Sequence, residues 1–353
     1  MIEISGDTLE GGGQIIRTSI ALAALASVDV HVSKIRHKRP NPGLQPQHVT
    51  AATALATICK AETEGLTQGS RELVFRPKGH ESGKFRFDVG TAGSIPLILQ
   101  ALMPCIAFSP GPVELELTGG TDVKWSPSID YVRLVILPAL HLMGYNANMI
   151  INRRGHYPKG GGKVTFSTTP PRKLRSLALT KRDQLVSVEG VSHCVKLPAH
   201  VAQRQANAAI ETLRKNGYGE LKVTLETYPS NQDPHLGAGS GITLAAKYQN
   251  GSIMGADSLG ERGKPAEKVG EEAARKLIEE IRSEASFDRH MGDILIPFMA
   301  VAEGKSMISV SQITMHTLTN IHVAEKILNV KFQVNGNLGE TGTIAVEGKS
   351  LTV

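Results

Sequence analysis

The 353-residue sequence has few aromatic residues, few cysteines and no long apolar segment. Aromatic side chains make up 4% of it, which argues against a protein that stacks RNA bases on a broad aromatic sheet. The three cysteines are odd in number and widely spaced, and therefore fit neither a disulfide framework nor a zinc site. No stretch of about 18 apolar residues is present, so we expect no membrane-spanning helix.

The first residues and the overall composition suit an ordinary globular protein. Residues 1–13 are acidic and rich in glycine, whereas a signal peptide is basic and then apolar. We therefore expect a cytoplasmic protein whose cysteines are buried as small apolar side chains. Hydrophobic residues make up 41% and charged residues 20%, and a chain of this length is expected to bury a sizeable core in two domains.

Basic charge and glycine are both present in excess. The 39 Lys and Arg residues exceed the 33 Asp and Glu residues, and the formal net charge of +6 suits a polyanionic partner. The 36 glycines are not spread as low-complexity sequence but are concentrated in clusters at 11–13, 119–120, 160–162 and 237–241. Each cluster lies beside a segment of periodic hydrophobicity, so the glycines mark loops next to helices or strands.

Hydrophobic periodicity predicts three similar units along the chain. Each unit has a glycine-containing loop, an apolar helix, a strand, a second helix and two further strands. The helices are predicted within residues 10–26 and 47–61, 95–108 and 126–144, and 290–303 and 316–329. In this grouping the segment KFRFDVG, at 84–90, is the last strand of the first unit, and residues 306–315 are the strand of the third.

Residues 184–284 interrupt this order. They predict several strands, a long helix and a charged surface helix at 265–285. We therefore expect an α/β (α+β) fold with a body of three β-α-β-α-β-β repeats, formed by residues 1–183 and 285–353. A smaller α/β domain is inserted into this body at 184–284.

The common nucleotide-binding motifs are absent from the sequence. It contains no GxxxxGK[ST], no GxGxxG that begins a helix, no HExxH and no KxDG lysine for nucleotidyl transfer. Any nucleotide chemistry would therefore need a different nucleophile.

Glu10 and three glycines come directly before the first predicted helix. Glycines at this place let backbone N–H groups and the positive end of the helix approach a phosphate. Glu10 is a candidate ligand for a metal ion that bridges phosphate oxygens, and Arg17 follows in the helix. The alternative is an ordinary glycine-rich start of a helix with an acidic residue in its first turn.

Two basic loops are further candidates for phosphate binding. Pro40 and Pro42 make the first loop rigid, and Arg36 and Arg39 are suited to hold a phosphate with two hydrogen bonds each. A basic loop that is merely solvated is the alternative. The second loop, RRGHYPKGGGK at 153–163, ends in three glycines whose ordering is costly in entropy, which indicates a role beyond that of a turn.

His316 lies where a predicted strand meets the last helix. Histidine is a standard covalent nucleophile, and its ordinary pKa near 6.5 leaves it mostly neutral at pH 7. We expect Thr319 and Asn320 to hydrogen-bond the imidazole and fix its tautomer. The alternative is a helix cap or a surface residue, and His322 is too far round the helix to join it as a metal ligand.

Together these segments resemble the RNA 3′-terminal phosphate cyclase family. The resemblance rests on EGGGQIIRTS, IRHKRPNPGLQPQH, RGHYPKGGG and HTLTNIHVAEKIL, and RGxxPxGGG is specific to that family. It extends in the same order from Met1 to Val346 and includes the insertion. It implies a thioredoxin-like inserted domain and an ATP-dependent conversion of an RNA 3′-phosphate to a 2′,3′-cyclic phosphate.

The resemblance also implies roles for individual residues. His316 matches the histidine that attacks ATP and carries a covalent AMP, and Glu10 matches a contact to the divalent metal, Mg²⁺ or Mn²⁺. The residues that match ATP contacts are Gln100, His290, Met291, Gly292, Asp293 and Ile294. Those that match contacts to the RNA end or the phosphates are Arg17, Arg36, Arg39 and Gln47. The family usually has Gln where this chain has Ile294, and an apolar side chain cannot repeat an amide contact, so the role of this position is open.

Three alternatives remain open at this point. A catalytically silent relative that acts as an RNA-binding or ribosome-assembly scaffold would be expected to lack the nucleophile, whereas His316 is present. Enolpyruvyl transferases share a related repeat architecture but have six repeats and no such insertion. A plain RNA-binding module would bind without consuming ATP. The sequence leaves the RNA substrates, the metal and the oligomeric state undetermined.

Overall fold

The computed structural model describes residues 1–171 and 173–352, and within them four sheets of four strands each alternate with helices. The elements of the first sheet and its helices are β1 (Ile2–Ser5), α1 (Gly13–Ala26), β2 (Val30–Ser33), α2 (Pro46–Ile58), β3 (Glu62–Glu64) and β4 (Leu73–Arg76). Those of the second are β5 (Gly83–Asp88), α3 (Ile95–Ile106), β6 (Val113–Gly119), α4 (Ile129–Tyr131), a π-helical turn (Val132–Ile136), α5 (Leu137–Leu142), β7 (Asn146–Arg153) and β8 (Gly162–Thr169).

The rest of the chain forms the other two sheets. After β9 (Ala178–Leu179), the fourth sheet and its helices consist of β10 (Leu185–Val195), α6 (His200–Lys215), β11 (Leu221–Glu226), β12 (Gly239–Tyr248), β13 (Ile253–Leu259) and α7 (Ala266–Arg282). The third sheet is then completed by α8 (Met291–Ile294), α9 (Ile296–Val301), β14 (Lys305–Val310), α10 (Met315–Leu328), β15 (Phe332–Asn335) and β16 (Gly342–Glu347).

Local sequence explains why these segments form where they do. In β6, Val and Leu at alternate positions are buried while Glu and Thr between them face outward, which is the period of a strand with one buried face. Helix α3 begins after Ser94, whose Oγ accepts a hydrogen bond from the N–H of Leu97 at 3.1 Å, and Pro96 lies in its first turn.

Three of the sheets have the same internal arrangement. Their strand orders are β1-β2-β4-β3, β5-β6-β8-β7 and β9-β14-β16-β15. In each, the first two strands are parallel and the remaining pairs are antiparallel. The fourth sheet differs, because β10 lies between β11, which runs parallel to it, and β12, which runs antiparallel.

Some predicted segments are placed differently by the structure. The strand at 84–90 was expected to end the first unit, but as β5 it pairs with β6 of the second sheet, with Phe85 opposite Leu115. The helix predicted over 290–303 is divided at Leu295 into two short helices, α8 and α9. The strand predicted over 306–315 ends at Val310, after which the chain turns into α10.

Helix α1 occupies a central position. It packs against α2 of its own unit, α3 of the second and α10 of the third, so helices from all three units meet around it. Its Ile16 and Ile20 are fully buried in a large hydrophobic cluster that includes Leu99 of α3. A second cluster lies between the fourth sheet and its helices and includes Leu213, Leu244 and Leu277.

The α/β fold class predicted from the sequence is confirmed. The division into a three-repeat body and a thioredoxin-like insertion, with boundaries at 183 and 285, stays a prediction. Among the described residues, no helix combines the length and apolar character that crossing a membrane requires.

Candidate functional site

Two adjoining cavities open beside helix α1. The larger has a volume of about 1290 Å³ and the smaller about 530 Å³. Both are lined by Gln14 and Arg17 of α1, by Trp125 and Ser126 of the loop after β6, and by His316 of α10. These residues therefore lie at the junction of the two cavities.

His316 is held at this junction by the start of α10. The Oγ1 of Thr314 accepts a hydrogen bond from the N–H of Thr317 at 3.1 Å and so caps the helix, which places His316 in its first turn. The side chain of His316 is 51% exposed and faces both cavities. The imidazole is thus accessible from either side.

The roles expected for Thr319 and Asn320 are wrong. The Thr319 hydroxyl donates to the carbonyl of Met315 at 2.7 Å and accepts from the N–H of Glu10 at 3.3 Å. The Asn320 amide donates to the carbonyl of Asp293 at 2.9 Å and accepts from the hydroxyl of Thr18 at 2.7 Å. These side chains position the segments around His316 rather than its ring.

Glu10 and Arg39 are brought to His316 by the loops before α1 and α2. One Glu10 carboxylate oxygen accepts from the N–H of Gly12 at 2.7 Å and lies 4.0 Å from Nδ1 of His316. The other pairs with the guanidinium of Arg39, which also donates to the carbonyl of Glu10 at 3.3 Å. A carboxylate, a guanidinium and an imidazole therefore meet on one wall of the larger cavity.

Burial, together with the neighbouring positive charges, favours a neutral His316. Burial lowers the pKa of its imidazole, nearby Asp293 opposes this, and Arg17, His290 and Arg39 lower it further. A neutral imidazole has the free lone pair that a nucleophile needs. Burial likewise raises the pKa of Asp293 to about 6, against the effect of His290 and His316.

Arg17 remains a cation in this buried setting. Burial lowers the pKa of Arg17 to about 10, although the charge of Asp293 opposes this effect. A pKa of about 10 is still well above neutral pH. The same surroundings lower the pKa of His48 to about 3, through burial first and then Arg17 and Arg36. His48 is a cavity residue that sequence reasoning missed, and its ring lies against Gly13, where a side chain would not fit.

The other predicted phosphate ligands line the larger cavity. Arg36 has a left-handed backbone with φ of +52°, and its guanidinium donates to the carbonyls of Asn41 at 2.6 Å and Gly43 at 3.3 Å. The Gln47 side chain accepts from the N–H of Ser94 at 3.2 Å and so connects α2 to the start of α3. Both residues reach the cavity, with part of their hydrogen-bonding capacity already used.

Only some of the residues that match ATP contacts of the family line a cavity. Gln100, His290, Asp293 and Ile294 line the smaller cavity. The Oδ2 of Asp293 accepts from the side chain of Gln14 at 3.0 Å, which links α8 to α1. Met291 is fully buried in the hydrophobic cluster and neither it nor Gly292 lines the two cavities, so the side chain of Met291 acts in packing.

Sequence comparison decides the family. The family described as RNA 3′-terminal phosphate cyclase matches residues 8–334 of this chain. The chain belongs to that family. A protein of Ignicoccus hospitalis named RNA 3′-terminal phosphate cyclase is 49% identical over 99% of this chain and 99% of its own. Proteins with the same name from Hyperthermus butylicus (49% identical, over 99% and 98%) and Methanopyrus kandleri (47%, over 98% and 98%) are similarly close.

Among solved structures, EPSP synthase from Acinetobacter baumannii aligns with 99% of this chain and 65% of its own. The TM-score is 0.30 and the identity 13%, values too low to indicate a common fold or function.

The loop with the RNA 3′-terminal phosphate cyclase signature, RGHYPKGGG at 154–162, connects two sheets. Arg154 is fully buried, and its guanidinium lies 3.3 Å from Asp122, 2.7 Å from Asp130 and 2.6 Å from Glu226 of the fourth sheet. Gly155 packs against backbone, with no room for a side chain. Arg154 therefore connects this loop of the second sheet to Glu226 of the fourth sheet, and a role for the loop beyond that of a turn stays a prediction.

Trp125 is a second cavity residue that sequence reasoning missed. It is the only tryptophan in the chain, it is 96% exposed, and it lies at the junction of the two cavities with a left-handed φ of +61°. A large apolar side chain held in water beside a cavity is typical of a surface that stacks on a ligand. The signal available in the sequence was its position just after Gly119–Gly120 in a chain with few aromatic residues.

Proposed function

We propose that this protein is a cytoplasmic, ATP-dependent RNA 3′-terminal phosphate cyclase that works through a covalent AMP on His316. Its relatives carry that name. The position of His316 is the observation that carries the proposal. Its imidazole faces a cavity lined by residues matched to ATP and a second cavity lined by residues matched to the RNA end.

In the first step, the neutral imidazole of His316 attacks the α-phosphorus of ATP. A P–N bond forms, the bond to pyrophosphate breaks, and the imidazole loses its N–H proton. Arg17 and Gln14 lie beside His316 in both cavities, where a guanidinium and an amide stabilise the charge on the phosphate oxygens. Splitting the reaction at this point supplies a good leaving group for the later steps.

In the second and third steps, the RNA end is activated and closed. An oxygen of the RNA 3′-phosphate attacks the phosphorus of the histidine–AMP, the P–N bond breaks, and the imidazole is released and protonated. The adjacent 2′-OH then attacks the activated 3′-phosphorus, loses its proton and expels AMP. Arg36 and Arg39 on the larger cavity are suited to hold the 3′-phosphate during both steps.

The site also fits a divalent metal ion. The carboxylate of Glu10 is the kind of hard oxygen ligand that Mg²⁺ and Mn²⁺ prefer, and it is fixed on the cavity wall by the N–H of Gly12. When bound, such an ion would neutralise charge on the phosphate oxygens.

The direct test uses α-labelled ATP and RNA that ends in a 3′-phosphate, with RNA ending in a 3′-hydroxyl as control. We expect the label to become covalent on the protein, and the 3′-phosphate to become resistant to phosphatase. The 3′-hydroxyl RNA should remain unchanged. A protein that binds RNA but takes up no label and leaves the RNA end unaltered would be a scaffold, and the proposal would be wrong.

Arg39→Ala is expected to spare the first step and slow the second. A guanidinium that grips the dianionic 3′-phosphate has nothing to hold during the attack on ATP, and Glu10 keeps its bond to Gly12 without it. Loss of one charged hydrogen bond typically costs about 1.5–3 kcal/mol, which is about tenfold to over a hundredfold in rate. The measurement is a single-turnover chase of purified enzyme–AMP with 3′-phosphorylated RNA.

Lys38→Ala is the matched control for Arg39→Ala. Lys38 lies in the same loop, but its ammonium donates to the carbonyl of Asp7 and it does not line the larger cavity. The control should chase at the wild-type rate. Equal rates for all three proteins would show that Arg39 does not bind the RNA end, and loss of self-adenylylation in Arg39→Ala would assign it to the ATP step.

Trp125→Ala is expected to weaken ligand binding without affecting stability. Stacking of a base on an aromatic ring is worth about 1–3 kcal/mol, so the Kd should rise about 5- to 150-fold, while an indole in water contributes little to folding. Because Trp125 is the only tryptophan, quenching of its fluorescence by ATP or RNA reports contact directly. Trp125→Phe should retain most of the affinity, and an unquenched wild type would remove Trp125 from the site.

A further inference from the structure

A buried polar cluster lies between the second and fourth sheets, apart from His316 and Glu10. It consists of Asp122 after β6, His156 in the loop between β7 and β8, and His193 on β10. The exposed fractions of these residues are 2%, 6% and 1%. One potential ligand atom from each lies within 4.8 Å of the others.

The polar atoms of this cluster converge, and each of the three side chains has one buried polar atom without a hydrogen-bond partner. The Nε2 atoms of His156 and His193 face each other at 3.0 Å. One Nε2 atom donates to the other in a single hydrogen bond, and the buried Nδ1 atom of each ring has no partner. The Oδ2 of Asp122 accepts from Thr121 and Arg154, whereas its buried Oδ1 has no hydrogen-bond partner. Buried acceptors without a donor are uncommon in folded proteins.

The charged residues around the cluster also favour a bound cation. Two fully buried carboxylates, Asp122 and Asp130, contact the single buried guanidinium of Arg154, and Glu226 adds a third carboxylate at the edge. Arg133 reaches Asp130 from the exposed side and adds one positive charge. Three carboxylates against two guanidinium groups leave the network negative, so a bound cation would be favoured.

We propose that Asp122, His156 and His193 bind one divalent cation of the zinc type, which fastens the fourth sheet to the second. Two imidazole nitrogens and one carboxylate oxygen form a ligand set that Zn²⁺ prefers, and three protein ligands leave one coordination position open. Asp122 and His156 also line the larger cavity, which provides a path for the ion to enter. The ion joins parts of the chain that are far apart in sequence.

The test is to titrate Zn²⁺ into the full-length protein after removal of bound metal with a chelator. We expect one equivalent to bind and the thermal unfolding temperature to rise with it. His156→Gln and His193→Gln each remove one ligand and should weaken the affinity by more than about 100-fold, beyond the 10–100-fold typical of changes outside the ligands themselves.

Three further variants make the test decisive. His80→Gln removes a partly buried histidine that bonds the carbonyl of Ala24 elsewhere in the body, and should bind Zn²⁺ as the wild type does. Glu10→Gln should also still bind one equivalent of Zn²⁺, which would distinguish this site from the proposed catalytic metal site. Asp122→Asn keeps the shape of the side chain, so a folded variant with weakened binding excludes misfolding as the cause. Absence of stoichiometric binding in the wild type, or wild-type affinity in both histidine variants, would overturn the proposal.

Discussion

Replacing His316 by alanine is expected to reduce both self-adenylylation and cyclisation by at least about a thousandfold, because the variant lacks the nitrogen that forms the P–N bond in the proposed mechanism. The side chain is 51% exposed and is not part of the core, so the variant should remain folded and unfold at the wild-type temperature. The measurement is uptake of label from α-labelled ATP in a single turnover. The wild-type adduct should be labile in acid and stable in alkali, as a phosphoramidate is.

His322→Ala is the control for this experiment. His322 is an exposed histidine on the same helix, and it lines neither cavity. It should take up label at the wild-type rate. If His316→Ala still formed the adduct, another residue would be the nucleophile and the proposed mechanism would be wrong.

Replacing Arg154 by methionine is expected to lower the free energy of unfolding more than any other single substitution proposed above. The guanidinium is fully buried among Asp122, Asp130 and Glu226, and removing it leaves buried carboxylates without their counter-charge. Breaking a buried ion pair in this way typically costs about 3–5 kcal/mol. The measurement is the free energy of unfolding in urea at pH 7, with a chelator present so that a bound metal does not contribute.

Two further variants test the cause of this loss. Arg153→Met changes the neighbouring arginine, which donates to the carbonyl of Gly161, and should cost only about 1 kcal/mol. Adding Glu226→Gln to Arg154→Met removes one unpaired charge and should restore part of the stability. An Arg154→Met protein as stable as the wild type would contradict the ion-pair argument.

The pH dependence of this effect has a definite sign. Burial would raise the pKa of Glu226, but Arg154 overcomes this and lowers it to about 2, compared with an ordinary value of 4.5. Its contribution to stability is therefore complete above 4.5 and disappears as the pH falls towards 2. The difference in unfolding free energy between wild type and Arg154→Met should shrink over that range.

Periodicity and local signals predicted most helices and strands, but not which strands pair. Alternation identified residues 84–90 as a strand, yet the partner of this strand, β5, in the second sheet depends on long-range contacts that the pattern does not contain. The two-residue strand Ala178–Leu179 carries no periodic signal at all. The division of the predicted helix at 290–303 could not be predicted either, because its apolar residues continue through the break at Leu295.

In the candidate site, some residues could be predicted from local sequence features and others could not. Glu10, Arg39 and His316 each stood out through a local feature, a glycine cluster, a rigid basic loop or a helix start, and the structure brings them together. His48 and Trp125 were missed because their importance comes from neighbours in other units. The buried position of Arg154 was equally hidden, since Glu226 belongs to a different sheet.

The arrangement of the third sheet has a consequence for synthesis on the ribosome. Strand β9 leaves the ribosome long before β14, its parallel partner, with the whole fourth sheet made in between. Domains generally fold as units while the chain is being made, so the fourth sheet can form first and bring the two ends of this segment close together, which reduces the entropy of closing the long loop. His316 follows β14 in the chain. The proposed reaction at His316 should therefore be impossible for a nascent chain until the fourth sheet, β14 and α10 have all been synthesised.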